Sequence, residues 1–222
     1  NWFTVEHSDV FSYVGCHYVD LVALITCLLP VSVSVYALRE RYPNGNEGYL
    51  WTDARIIWDN GACLNVQNGL AVPDAAPGAN AQGLAMYCST AARGGWLEHS
   101  DQFRGVRHCY VQSPGGPAPT LYVEPNPDFF HYVDTGGPGL TPTGYGYRSI
   151  EALVRATIEV ESAPHHERPA RLEAIDRRGL LATPANSRYN DLVIEAGRLS
   201  IQNGGRAVRI HYTPRPYVEL ER

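Results

Sequence analysis

The sequence contains no lysine, since all 18 of its basic residues are arginine. A phosphate-binding loop of the form G-x-x-x-x-G-K-[ST] is therefore excluded. No G-x-G-x-x-G lies between a strand and a helix, because the glycines of residues 136–146 are interrupted by Pro138 and Pro142. G-x-S-x-G is absent as well. We therefore expect neither a dinucleotide site nor a serine nucleophile elbow within these 222 residues.

The chain also lacks a long hydrophobic run and a strong charge of either sign. The apolar stretch of residues 21–29 contains Thr26 and ends at Pro30, well short of the roughly 20 residues that cross a bilayer. The net charge is −5, only 18% of the residues are charged, and the arginines form no basic stripe. We expect neither a membrane nor nucleic acid as a partner.

Cysteine is infrequent, and its spacing along the chain does not suggest pairs. No C-x-x-C occurs, and the five cysteines are widely spaced: Cys16, Cys27, Cys63, Cys88 and Cys109. This usage is typical of buried thiols in a reducing compartment, so we predict a cytoplasmic protein. Neither the neighbours His165 and His166 nor the pair His99 and His108 has ligand spacing with a third partner, so no metal site is expected.

The best functional signal is the run Gly15-Cys16-His17-Tyr18-Val19-Asp20. Helical spacing from Phe11 predicts one apolar stripe, formed by Phe11, Val14, Tyr18, Leu21, Val22 and Ile25. Tyr13, His17 and Asp20 then share a second face, on which His17 can reach both neighbours. That spacing could hold a proton-transfer group. The alternative is a structural histidine that is hydrogen-bonded near the start of a helix.

The pair Asn60-Gly61 predicts a hairpin, and hydrophobicity sets its register. A three-residue loop, Asp59-Asn60-Gly61, with Gly61 in the left-handed region keeps one face of the two strands apolar. The apolar cross-strand pairs are then Trp58 with Ala62, Ile56 with Leu64, and Ala54 with Val66. We interpret the opposite face as solvated or covered by a partner subunit; it carries Asp53, Arg55, Asn65 and Gln67.

The rest of the chain predicts strands followed by helices. Alternation indicates strands at residues 31–38, 84–88, 95–100, 105–112 and 208–212. Helices are predicted after Ser149, with a stripe of Ile150, Leu153, Val154 and Ile158, at residues 167–178, and from the cap Thr183-Pro184 to Gly204-Gly205. This order is that of an α+β protein. We expect a single domain over residues 1–222, with a large, mostly antiparallel open β-sheet and helices packed on one face.

A family likeness is visible in three stretches of the sequence: FSYVGCHYVDLVALITCLLPVSVSVYAL, WTDARIIWDNGACLNVQNG and GLLATPANSRYNDLVIEAGRLSI. Together with the order of elements, they resemble the C-terminal domain of the Gfo/Idh/MocA family of NAD(P)-dependent sugar oxidoreductases over nearly the whole chain. The resemblance implies an open sheet packed against helices, a sugar pocket, and a homodimer or higher homo-oligomer formed through the exposed sheet face. It also implies a longer parent protein, whose N-terminal Rossmann domain binds NAD or NADP and supplies a lysine.

By the same resemblance, His17 matches the histidine that takes a proton from the substrate hydroxyl. The family commonly has an aspartate four residues earlier, where this chain has Tyr13. A phenol, with an ordinary pKa near 10, does not replace a carboxylate base at neutral pH. Asp20 either orients His17 or bonds a backbone amide, and Tyr13 and Asp20 are also candidates for substrate contacts. Asp101 and Arg104, at the tip of a predicted hairpin, are further candidates for substrate contacts.

The leading hypothesis is the substrate-binding and oligomerisation domain of an oxidoreductase that acts on a sugar, cyclitol or derivative. The isolated chain is then not expected to be active. The alternative is a non-catalytic carbohydrate-binding or assembly module derived from the same family. A third hypothesis, an unrelated α+β hydrolase using His17 and Asp20, has no nucleophile at a usable spacing.

Overall fold

The computed structural model describes residues 3–70, 75, 81–90, 93–100, 105–112, 121–123, 130–144 and 146–222. The chain divides into two compact units, one of Asn1–Pro73 with Ala182–Arg222 and one of Asp74–Leu181. The single domain expected from the sequence stays a prediction.

The first half of the described chain begins with helix and continues as strands. In chain order these elements are a π-helix (Phe11–Gly15), α1 (Cys16–Thr26), β1 (Pro30–Arg41), β2 (Glu47–Trp58), β3 (Cys63–Gly69), β4 (Gly83–Thr90), β5 (Arg93–Ser100), β6 (Gly105–Gln112), β7 (Leu121–Val123), β8 (His131–Val133) and β9 (Thr141–Thr143). Helices then dominate: α2 (Tyr147–Glu161), a 3-10 turn (His165–Glu167), α3 (Arg168–Arg178), α4 (Pro184–Ser187) and α5 (Tyr189–Gln202), followed by β10 (Val208–His211) and β11 (Tyr217–Leu220).

The first unit is built on a five-stranded antiparallel sheet in the order β11-β10-β1-β2-β3. One face of this sheet packs on α5 and the π-helix. The buried apolar side chains there include Val33, Val35, Ala54, Ile56, Val66 and Val208 from the strands, and Val193 and Ala196 from α5. Each fully buried Val or Ile contributes about 1.5–3 kcal/mol relative to an exposed one, so this layer is the core of the unit.

The predicted hairpin register between β2 and β3 is confirmed. Ile56 lies opposite Leu64, and Ala54 lies opposite Val66. The Trp58 N–H donates to the carbonyl of Ala62 at 2.9 Å, and Gly61 has a φ of 84°. The polar face predicted for this hairpin is exposed at Asp53, Arg55, Asn65 and Gln67.

The predicted apolar stripe of the first helix is wrong in part. The helix opens as a π-helix, which holds an extra residue in each hydrogen-bonded turn and therefore rotates the following face. The buried positions are Phe11, Gly15, Val19, Val22 and Ala23. Of the predicted stripe, Val14, Tyr18 and Leu21 are half-buried and Ile25 is exposed.

Two helix starts also differ from the sequence prediction. Helix α2 begins at Tyr147, before the predicted cap Ser149, whose hydroxyl instead donates to the carbonyl of Gly146 at 2.9 Å. Thr183 does precede a helical turn, and its N–H donates to Asn186 Oδ1 at 2.9 Å. That turn ends at Ser187, so the predicted single helix is divided into α4 and α5.

The last strand, β11, lies outside every predicted element. It pairs with β10 and places Val208 opposite Leu220 and Ile210 opposite Val218. Two prolines, Pro214 and Pro216, precede it, and proline normally marks a strand end. Apolar and polar residues therefore do not alternate continuously from β10 through the turn, and the sequence pattern did not indicate β11.

The second unit holds a four-stranded sheet in the order β4-β5-β6-β7 and a two-stranded sheet of β8 and β9. All of these pairings are antiparallel. Helices α2 and α3 are joined by ion pairs of Arg178 with Glu159 at 2.6 Å and of Arg168 with Glu161 at 3.2 Å. The α+β class with antiparallel sheets is confirmed. None of the helices in the described part of the chain has the length and hydropathy needed to span a bilayer.

Candidate active site

His17 lies in the first turn of α1, and its side chain is exposed. In the part of the chain that the structure describes, no hydrogen bond or ion pair engages its imidazole. An exposed imidazole that no protein group occupies can accept a proton from a bound hydroxyl. The position leaves the imidazole open to solvent, and its role as a general base stays a prediction.

Gly15 brings the start of this helix against the sheet. A Cβ atom at Gly15 would lie 2.7 Å from Phe11 Cδ2 and 3.0 Å from Asn68 Oδ1. Contacts this short are tighter than packed side chains tolerate, so any larger residue would push the helix away from β3. The glycine thus sets the depth of the helix, and His17 follows two residues later.

Asp20 faces α5, and its role in substrate binding stays a prediction. Its Oδ1 accepts a hydrogen bond from the Tyr189 hydroxyl at 2.6 Å and another from Asn190 Nδ2 at 3.2 Å. Burial, together with the neighbouring Asp20 carboxylate, raises the pKa of Tyr189. Asp20 therefore ties α1 to α5 and fixes the helix that presents His17.

Sequence analysis missed Tyr189 and Asn190 as parts of this site. Tyr189 lies at helical spacing from the apolar residues Leu192, Val193 and Ala196, which indicates a packing role, and it is half-buried. The Asn190 Oδ1 atom is buried without a hydrogen-bond partner among the described residues. The contact with Asp20 spans 169 and 170 residues of sequence, so no local spacing could have indicated it.

Tyr13 lies one turn before His17 and is about half exposed, at 52%. Its ring meets the ring of Phe3 edge-on, with centroids 6.2 Å apart. The structure therefore presents both Tyr13 and His17 at the exposed surface of the same helical segment, while Asp20 points to α5. The phenol can donate to a hydroxyl of a bound ligand.

A buried ion pair supports the helix from the other side. Asp9 is fully buried and pairs with Arg198 of α5 at 3.1 Å. The same carboxylate accepts the Ser12 N–H at 2.7 Å and the Ser12 hydroxyl at 2.8 Å. The segment before His17 is thus held to α5 by charge-assisted hydrogen bonds. The spacing of Asp9 and Ser12 is that of a helix cap, which is a signal that sequence analysis did not use.

Two predicted site residues, Asp101 and Arg104, lie outside the described residues. The strands that flank them do pair as predicted, with Ser100 opposite Gly105. Their role in substrate binding stays a prediction.

Cysteine chemistry is disfavoured at the site. Burial raises the pKa of the Cys16 thiol, and it is the thiolate that acts as a nucleophile. In the described part of the chain, no three His, Cys, Asp or Glu side chains are grouped so as to hold a metal ion.

The exposed face of the five-stranded sheet carries a shallow apolar groove of about 680 Å³. The Trp51 ring lies against Gly69, where a Cβ atom would be 2.2 Å from the indole. The Tyr36 ring covers Gly205 in the same way, with a distance of 2.4 Å. Leu38 is also exposed in this groove. Both rings lie against the backbone of a glycine. The groove between them can therefore make close contact with the surface of another protein.

Comparison with solved structures identifies the fold. An oxidoreductase-assigned protein from Thermotoga maritima aligns over 88% of this chain and 45% of its own, with 15% identity and a TM-score of 0.51. This chain has the fold of the C-terminal portion of Gfo/Idh/MocA-type oxidoreductases. The resemblance inferred from the sequence is thus confirmed at the level of fold. No protein-family model matches the sequence, and no curated protein is significantly similar to it.

Two further solved structures align with this chain. A super-repressor mutant of Gal80p from Saccharomyces cerevisiae aligns over 90% of this chain and 49% of its own, with 9% identity and a TM-score of 0.50. A myo-inositol dehydrogenase from Lactobacillus casei, solved with NAD(H) and myo-inositol, aligns over 96% and 52%, with 13% identity and a TM-score of 0.41. The last likeness is too low to transfer a ligand. The chain spans about half the length of these proteins.

Proposed function

We propose that this chain is the substrate-binding and oligomerisation domain of a cytoplasmic NAD(P)-dependent oxidoreductase that acts on a sugar, a cyclitol or a derivative. The observation that carries the proposal is the exposed His17, whose imidazole is bonded to none of the described residues, on a helix held to the sheet at Gly15 and to α5 at Asp20. The fold shared with the Thermotoga maritima protein supports the reaction class. The predicted burial of the thiols is wrong for the four cysteines with described side chains, since Cys16 is half-buried and Cys27, Cys63 and Cys88 are exposed. All four are free thiols, which supports a reducing compartment.

The start of α1 does not fit the pyrophosphate of a nicotinamide dinucleotide. Helix α1 continues directly from a π-helix, with helical backbone at Gly15, so its N-terminus is not an open anion site of the kind that binds pyrophosphate. We assign the cofactor to the N-terminal Rossmann domain of a longer parent protein. When bound there, NAD or NADP would supply the hydride acceptor.

In this proposal His17 accepts the proton of the substrate hydroxyl that is being oxidised. Tyr13 donates a hydrogen bond to a neighbouring substrate hydroxyl from the same surface. Asp20 acts as a positioning residue, because its oxygen is bonded to Tyr189 and Asn190. Asp101 and Arg104 are proposed as further substrate contacts.

A non-catalytic sugar-binding or assembly module is the second candidate function. Two observations favour it: the likeness to a Gal80p super-repressor mutant at a TM-score of 0.50, and a phenol, Tyr13, at the position where the family commonly has a carboxylate. A module of this kind would keep the sugar site and lose turnover.

The test uses the full-length parent protein, with NAD⁺ and NADP⁺ reduction followed by absorbance over a panel of sugars and cyclitols. His17→Ala should lower kcat by about 10²–10⁴-fold, because that is the usual contribution of a general base. KM should change little. The control is His166→Ala, an exposed histidine of the 3-10 turn, which should keep wild-type turnover.

Binding separates the two candidate functions. Sugar binding by calorimetry, without turnover in wild type or in His17→Ala, would establish the module and overturn the enzyme. Equal turnover in wild type and His17→Ala would overturn the assigned role of His17. The absence of both binding and turnover across the panel would contradict both functions.

We also propose that two copies pair through the exposed face of the five-stranded sheet. The support is the apolar groove between Tyr36 and Trp51, in which Leu38 is exposed. Exposed apolar patches of this kind mark interaction sites more often than solvated surface.

A further inference from the structure

Three aromatic rings connect the sheet of the first unit to the exposed surface beside His17. A Cβ atom at Gly48 of β2 would lie 2.5 Å from Tyr42 Cε2, so the Tyr42 ring packs directly on the backbone of this glycine. The Tyr42 ring meets Phe3 edge-on, with centroids 5.7 Å apart. Phe3 in turn meets Tyr13 edge-on at 6.2 Å. We call Tyr42, Phe3 and Tyr13 the aromatic column.

Exposure increases along the aromatic column from the sheet to the surface. Tyr42 and Phe3 are half-buried, and Tyr13 is 52% exposed. Edge-on aromatic pairs attract each other through the negative face of one ring and the positive edge of the other. The two inner rings therefore hold the third in one orientation, while half of its surface stays accessible.

The backbone below Tyr13 is also held in place. Its N–H donates to the carbonyl of Asp9 at 3.1 Å. Asp9 is the buried carboxylate that pairs with Arg198 and accepts hydrogen bonds from Ser12. Tyr13 lies within the π-helix, and π-turns are frequent at functional sites. Rigid support suits a binding group, because a mobile ring would lose conformational entropy when a ligand binds.

Tyr13 and His17 can contact the same ligand. Side chains four residues apart lie on the same side of a helix, and both of these are exposed. A ring-shaped ligand that lies on the Tyr13 ring therefore has its edge within reach of the His17 imidazole. The helix offers such a ligand an aromatic face and a proton acceptor together.

The chemistry of an aromatic face favours one form of sugar. The face of a phenol ring is electron-rich and apolar. A pyranose or cyclitol carries its hydroxyl groups around its rim and its C–H bonds, which are slightly positive at hydrogen, on its faces. Flat contact with an aromatic ring therefore leaves the rim hydroxyls available for hydrogen bonds. An open-chain polyol has no rigid C–H face and must lose more conformational entropy to present one.

We propose that Tyr13 is a specificity-determining residue, which selects a pyranose or cyclitol ring over an open-chain polyol by stacking on its C–H face. This inference rests on the proposed function, because it concerns the substrate on which His17 acts. Stacking uses the face of the phenol ring, and the hydrogen bond proposed above uses the hydroxyl at its rim. One side chain can therefore make both contacts.

The test compares ring compounds with open-chain counterparts in the full-length parent protein. Glucose and myo-inositol are compared with sorbitol, and galactose with galactitol, by calorimetry. Tyr13→Phe keeps the stacking ring and should bind the ring compounds within about tenfold of the wild type, since it loses at most one hydrogen bond. Tyr13→Leu lacks the ring and should bind them about tenfold more weakly than Tyr13→Phe. The two variants should bind the open-chain compounds equally.

Turnover and a matched variant separate stacking from other effects. The loss in Tyr13→Leu should raise KM and leave kcat nearly unchanged, because stacking holds the substrate alike in the ground state and the transition state. Tyr132 is the matched control, since it is 61% exposed and meets Phe130 edge-on at 5.2 Å in the second unit. Tyr132→Leu should keep wild-type affinities. Partial unfolding of a variant would weaken the binding of ring and open-chain compounds alike, so the ratio of the two reports stacking alone.

Each outcome has a separate meaning. A preference for ring compounds that falls in Tyr13→Leu, but not in Tyr13→Phe or Tyr132→Leu, supports the inference. An equal preference in Tyr13→Leu and Tyr13→Phe overturns it and leaves the proposed function intact, as does a wild type that binds open-chain compounds as tightly as rings. A wild type that neither binds nor oxidises any of these compounds contradicts the proposed function itself, and the inference with it.

Discussion

At the scale of the single residue, Asp20 shows how a predicted site residue acquires a different task. Its spacing from His17 suggested an acid-base pair, yet the carboxylate bonds Tyr189 and Asn190 of α5. Hydrogen bonds to a charged group are stronger than neutral ones. The residue therefore acts on the site through the position of α1.

Tyr189→Phe tests that anchor. Near neutral pH the variant should unfold about 1–2 kcal/mol more easily, since it loses one hydrogen bond to a partly exposed carboxylate. The raised pKa of Tyr189 adds a pH dependence. Its stabilising contribution is complete below the ordinary tyrosine pKa near 10 and falls as pH rises beyond it, because only the unfolded chain then ionises. The difference between wild type and variant should therefore narrow above about pH 10.

Urea unfolding followed by tryptophan fluorescence measures both effects. Tyr87→Phe is the control, because Tyr87 is 84% exposed. Its stability should match the wild type near neutral pH. A Tyr189→Phe variant as stable as the wild type there would show that Asp20 is held by other contacts.

At the scale of the element, the π-helix is held by an aromatic ring between two glycines. A Cβ atom at Gly197 of α5 would lie 2.6 Å from Phe11 Cε1, and one at Gly15 would lie 2.7 Å from Phe11 Cδ2. Phe11 itself is fully buried. The two helical segments thus approach each other across one ring, and this contact sets the angle at which α1 begins.

Gly197→Ala should destabilise the first unit by about 1–2 kcal/mol. Overpacking of a core lowers stability by about 1–3 kcal/mol. The better helix propensity of alanine offsets up to about 1 kcal/mol of this loss. The control on the same helix is Glu195→Ala, at an exposed position, which should stay within about 0.5 kcal/mol of the wild type. Thermal unfolding by circular dichroism measures both. Stabilisation by Gly197→Ala would contradict the close packing.

At the scale of the whole molecule, the first unit exposes a groove on its sheet, lined in part by the apolar side chains of Tyr36, Leu38 and Trp51. The proposed pairing of two copies through this face can be tested directly.

Leu38→Arg should reduce sheet-face pairing, because a guanidinium would have to lose its water where an apolar side chain packs. Light scattering after size exclusion should show a lower mass than for the wild type at the same concentration. Leu140→Arg is the control, since Leu140 is exposed outside the groove, and its mass should not change. An unchanged mass for Leu38→Arg would contradict the sheet-face dimer.

Several features could be predicted from the sequence alone, because they depend on local chemistry. The loop Asp59-Asn60-Gly61 set the register of β2 and β3, because a shift by one residue would have moved apolar side chains to the polar face. The α+β order followed from periodicity, and Gly179 ends α3 in the left-handed conformation that glycine adopts readily. Each of these signals acts over a few residues.

Tertiary structure alone decided which face of a helix is used and for what. The π-turn at Phe11–Gly15 rotated the face that α1 buries, and packing on α3 left the stripe of α2 exposed. The bond between Asp20 and Tyr189 joins residues 169 positions apart. The reason is physical: periodicity assigns a side chain to a face, but only long-range packing determines what that face contacts.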